Sequence, residues 1–150
     1  MVNQTNAVQK TESLKVCCDL EYILMGDLRQ LLNERSTPQT RPSLLALLDR
    51  LLLNLPHVLR LSSVGGYMKV VIEKRPNWYR QIEELQQVNL DCISALGGLR
   101  DHIESELNIV DISSEMDCRL REWMKVFGGL RRQESQLLQD AFTMDIGGEA

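Results

Sequence analysis

"LLLNLPHVLRLSSVGGYMKVV", residues 51–71, runs from a leucine-dense stretch through a proline and a histidine to a glycine pair. Leu51, Leu55 and Val58 recur at spacings of four and three, which places them on one stripe of an α-helix, with Leu52 and Leu59 alongside. Upstream, Leu44 and Leu48 extend the stripe and Leu45 and Leu47 flank it, so the helix opens at Pro42 or Ser43. So much apolar surface predicts a helix touched by more than one neighbour. Pro56 cannot donate to the carbonyl one turn back and is expected to bend this helix just before His57. Gly65-Gly66 permits a break, after which "YMKVVIEKRP" reads as a short helical extension stopped near Pro76.

The same periodicity continues on both sides. Residues 1–10 are polar and expected to fray, and Thr11 or Ser13 is a candidate cap for a first helix. Its stripe is Leu14, Cys17, Leu20 or Glu21, Leu24, Leu28 and Leu31, and "STPQTRPS" ends it near Arg35. Asn77 is a candidate cap for a third long helix striped by Trp78, Ile82, Leu85, Asn89, Cys92, Leu96, Leu99 and Ile103. Ser113 or Ser114 opens a fourth, striped by Met116, Leu120, Trp123, Phe127, Leu130, Glu134, Leu137 and Ala141 and ended by "IGGEA". Asn89 and Glu134 are polar residues on apolar stripes. Four amphipathic helices with short connections and no alternating strand pattern predict an all-α, antiparallel four-helix bundle, one domain over 11–150. The glycine pairs 97-98 and 128-129 fall inside helices, where they read as close helix contacts or as local bends.

Charge and composition narrow the function. The formal charge of −4 comes from interspersed residues, without the basic patch that a phosphate backbone demands, so no nucleic acid partner is expected. The start "MVNQTNAVQKTESLK" has no apolar leader core, and no stretch approaches about 18 uncharged apolar residues. The expectation is a cytoplasmic protein with no membrane partner. Cys17, Cys18, Cys92 and Cys118 form no C-x-x-C spacing and are expected to be reduced thiols packed as small apolar residues. No nucleophile elbow or glycine-rich phosphate loop is present, and no catalytic residue is assigned; the chain is not expected to be an enzyme. His102, beside Asp101 and four residues before Glu106, reads as a solvated helix face. His57 has apolar neighbours and reads as a hydrogen-bonded core residue before it reads as a ligand. Paired Glu-x-x-His motifs, which di-iron carboxylate bundles carry, do not occur.

In order and character, "LEYILMGDLRQLL", "LPHVLRLSSVGGYMKVVIEKRP", "IEELQQVNLDCISAL" and "ESQLLQDAFTMDIGGEA" resemble the hemerythrin-like, or HHE cation-binding, family. The resemblance covers most of residues 14–148. It implies a bundle whose core would hold a non-haem iron pair, or another metal, between histidines and carboxylates from each helix. Carried over by position, Tyr22 falls where the first helix would offer histidine, and His57 is kept, while Leu61 stands at a carboxylate place. Asn89 and Leu130 occupy two further histidine places, and Glu134 remains as a carboxylate. A one-residue slip around His57, or an overlay of Gln133-Glu134 on a His-Glu pair, restores no histidine. Aliphatic side chains donate nothing to a metal. The resemblance therefore implies a bundle that has lost its di-iron site, with His57 a polar core remnant beside Asn89 and Glu134, acting as an interaction or regulatory protein with an unidentified protein partner. A reduced iron or zinc site on His57 and Glu134, with Asn89 and Tyr22 as weak donors and a role in oxygen or redox sensing, is the alternative.

Overall fold

The computed structural model describes residues 2–34, 40–64, 67–106 and 112–147 of the 150. Its elements are α1 (Val2–Asn33), α2 (Thr40–Val64), α3 (Tyr67–Lys74), a 3-10 turn (Pro76–Trp78), α4 (Tyr79–Ser105) and α5 (Ser114–Gly147). Four of these are long, and the short α3 follows α2 as the sequence predicts. Among the described residues every regular element is helical, and no helix is long and apolar enough to cross a membrane.

Helix starts differ from the sequence reading in three places, the first being α2, which opens at Thr40 and not at Pro42 or Ser43, since a proline in the first turn gives up only an N–H that has no partner within the helix. α1 begins at Val2, not at Thr11 or Ser13, because nothing in residues 2–12 breaks a helix and propagation adds one hydrogen bond per residue once a turn exists. Asn77 does not cap α4. Pro76 fixes its own φ at the start of a 3-10 turn, Trp78 N–H donates to Arg75 C=O at 2.9 Å, and α4 starts only at Tyr79. Ser113 does cap α5, its Oγ accepting from Met116 N–H at 3.2 Å. Pro56 lies inside α2, which runs on to Val64. Gly65, Gly66, Arg35 and the last residues of "IGGEA" lie outside the described residues.

Most of the stripe residues meet in one core. Leu24, Leu28 and Leu32 of α1 pack with Leu44, Leu48, Leu51 and Leu55 of α2, Leu96 and Ile103 of α4, and Leu120, Trp123 and Phe127 of α5. Each leucine so buried contributes roughly 1.5–3 kcal/mol relative to exposure. Met68 and Val71 of α3 join Ile82 and Ala141 in a second cluster. Cross-helix bonds give the chain directions: Arg41 meets the Glu104 carbonyl while Gln86 donates to Ser63, and Arg121 donates to the Leu32 carbonyl while Arg131 meets Glu21. In each pair of helices one residue number rises as the other falls. Trp123 Nε1–H donates to the Cys92 carbonyl at 2.8 Å and ties α5 to α4.

The glycine pairs are not close contacts. A Cβ at Gly98 would meet nothing within 4 Å, one at Gly97 would only touch Leu52 at 4.0 Å, and those at Gly128 and Gly129 would find the Arg132 guanidinium at 3.5 and 3.8 Å. Among the cysteines only Cys92 is fully buried; Cys18 and Cys118 are exposed, against the expectation that all four pack as apolar residues.

Candidate functional site

The polar residues of the apolar stripes converge on a residue that the stripe pattern alone does not mark. Glu134 is one turn beyond Leu130 on the inward face of α5 and is 5% exposed; Asn89 occupies the matching place on α4 at 2%. Asn89 Nδ2 donates to Glu134 Oε1 at 3.3 Å and to its own helix at the Leu85 carbonyl, at 3.0 Å. Arg131 enters between them. Its Nη1 donates to Glu134 Oε1 at 2.6 Å and to Asn89 Oδ1 at 3.0 Å, and its Nε and Nη2 reach Glu21 of α1 at 3.0 and 2.8 Å. The two-pronged approach to Glu21 matches the planar fork of a guanidinium to a carboxylate, and such charge-assisted pairs are the strong ones. The same guanidinium carbon lies 4.6 Å from the centre of the Phe127 ring, a cation–π contact.

A cavity of about 200 Å³ opens beside this network, lined by Cys18, Glu21, Val58, Ser62, Arg131 and Glu134 among others. Burial works most strongly against the charge on Arg131, but the hydrogen bond to Glu21 and the charges of Glu134 and Glu21 outweigh it, so its pKa is raised above the ordinary guanidinium value. Although Cys18 is an exposed residue, partial desolvation of its thiol beside the cavity pushes its pKa up, and the neighbouring Glu21 carboxylate pushes it further against the opposing charge of Arg131. Cys92, behind Trp123, is raised chiefly by burial.

Of the four residues expected at the site, the fold brings two together. Asn89 and Glu134 share the central layer. His57 does not join them: it is exposed on the outer face of α2, where Arg60 donates to its Nδ1 at 2.9 Å and Leu20, Arg50 and Leu53 are its neighbours. The reason is helical phase. Leu51, Leu55, Val58 and Ser62 face inward, so residue 57 falls about 100° off that stripe. Tyr22 is 83% exposed and faces outward as well. Among the described residues no three His, Cys, Asp or Glu side chains are placed to hold a metal ion. The donor set does not fit a di-iron pair: in the central layer stand two carboxylates joined by a guanidinium, an amide and a serine, with no imidazole. Arg131 and Glu21 are the residues the sequence reading missed. The available signals were an arginine three residues before a stripe carboxylate, and Glu21 as an alternative to Leu20 on the first stripe.

Set against protein-family models, curated proteins and solved structures, the chain matches none of them.

Proposed function

We propose that this chain is a divergent, antiparallel hemerythrin-like bundle that holds no iron and serves as a cytoplasmic interaction or regulatory protein rather than as an enzyme. One observation carries the reading: the two carboxylates of the central layer share one internal cation, Arg131, which spends four of its five N–H donors on Glu21, Glu134 and Asn89. The spacing of inward residues supports the resemblance. A histidine and a carboxylate four apart are expected on the second long helix, and Val58 and Ser62, four apart, face the cavity one residue beyond His57 and Leu61. The one-residue slip thus aligns the helix with its buried face and leaves no metal donor stronger than a serine there. Among the described residues no ligand set is assembled, and a helical scaffold of this kind offers its outer faces for contact with other macromolecules.

Metal content and helicity test this. Protein purified without chelator should contain far less than one iron or zinc per chain by elemental analysis, and ferrous iron added in air should give no oxo-bridged di-iron absorption. Its far-ultraviolet circular dichroism should be unchanged by chelator. Two irons per chain, or one tightly held zinc, would overturn the reading.

A further inference from the structure

The α4–α5 side of the bundle carries an apolar groove of about 680 Å³ that the buried ionic layer does not use. Its floor is Cys92, Leu99 and Trp123, and Ala95, Val88 and Val126 stand on its walls, the two valines 37% and 50% exposed. Two helix faces that pack a core on one side and leave valines exposed on the other mark an interaction surface. The charges on its rim are not uniform. Asp91 stands toward one end, beside Val88; Arg119 and His102 stand toward the other, with Glu122 one turn from Arg119. Ala95, the small residue near the middle of the α4 wall, lets a second helix approach closely there.

We infer that this groove is a two-fold interface between two copies of the chain. An isologous interface needs a surface complementary to itself when rotated by half a turn. Rotation about an axis that lies in the groove between α4 and α5, at the level of Ala95, brings the Asp91 end of one copy onto the Arg119 end of the other, so the pairing is made twice. It also lays the exposed valines of each copy against the other's apolar floor. Asp91 is exposed and accepts only an exposed amide bond from Gln87 at 3.0 Å in its own helix, and Arg119 is held by Glu115 in an exposed pair at 2.8 Å. Both keep donors and acceptors directed at solvent. An uncharged or uniformly acidic partner helix would leave one of the two ends without its opposite charge, which is why a second copy fits better. The inference is independent of whether any metal is held in the core.

Sedimentation velocity across the micromolar to sub-millimolar range is the test. The wild-type chain should form a dimer. Val126→Glu, at a half-exposed site that does not contribute to the core, should keep the helical circular dichroism signal and weaken dimerisation by about tenfold or more. Asp91→Arg should weaken it, and the double variant Asp91→Arg, Arg119→Asp should recover it, since the reversed charges meet across the two-fold axis. A wild-type chain that stays monomeric overturns the inference. So does a dimer that ignores Val126→Glu but is broken by Leu53→Glu, which would place the interface on the α1–α2 face instead.

Discussion

Arg131 and Glu134 stand one turn apart on α5 with Nη1 and Oε1 2.6 Å from each other, and the same guanidinium reaches across to Glu21 on α1. This makes the buried ionic layer a tie between α5, α1 and, through Asn89, α4. Desolvating a charge is costly, so the layer contributes to register more surely than to stability. A register slip would leave three charges buried without partners.

Removing the arginine is therefore severe. Arg131→Leu leaves Glu21 and Glu134 partly buried and mutually repelling, and should cost about 3–5 kcal/mol at neutral pH in chemical denaturation. Replacing the whole set, Glu21→Met with Arg131→Leu and Glu134→Leu, should recover most of that loss or exceed the wild type, because no uncompensated charge remains. A triple variant as unstable as the single one would mean that shape, not charge, governs this layer.

Glu134 is not a lone charge on an apolar seam, so removing it alone is also destabilising. With Arg131 donating to it, Glu134→Leu leaves a donor of a partly buried guanidinium unmatched and should cost about 1–3 kcal/mol by urea denaturation. The loss stays below that of Arg131→Leu because Glu21 still holds the guanidinium by two bonds.

The helices and most of the core were legible because burial obeys a simple period: Leu24, Leu28, Leu44, Leu48, Leu96, Ile103, Leu120 and Phe127 are all stripe residues and all buried. The site was legible only in part. Asn89 and Glu134 interrupt apolar stripes and so announce themselves, whereas Arg131 begins beside the stripe and enters the core along its own long stem, which periodicity does not register. His57 was misplaced for the opposite reason. Its neighbours in sequence are apolar, yet α2 is apolar over so much of its circumference that adjacency says little about which way one side chain turns.

Gly26 lies in the interior of α1, and a methyl group there would meet nothing within 4 Å. Alanine narrows the unfolded ensemble and suits the helix better, so Gly26→Ala should stabilise the protein by about 0.5–1 kcal/mol, read as a higher urea midpoint with unchanged slope. A loss of stability would mean that the helix needs the glycine for a bend.

Cys18 contributes to the pH dependence of stability. Its thiol lines the cavity beside Glu21 and Arg131, and burial, then the Glu21 charge, raises its folded-state pKa above that of a free thiol. A raised pKa means the folded protein keeps a proton that the unfolded chain has released. This contribution to stability is fully present below the ordinary thiol range and is lost as pH climbs from about 8.5 through the folded value. Two measurements follow from the same sign. Iodoacetamide should alkylate Cys18, followed by peptide mass spectrometry, more slowly at pH 8 than it does a free cysteine peptide, because the thiolate is the reacting form. Cys18→Ala should flatten part of the fall in stability between about pH 8.5 and 10. Alkylation at Cys18 as fast as in the free peptide would show that the thiolate is as accessible in the folded chain as in water, and that Glu21 spends its charge wholly on Arg131.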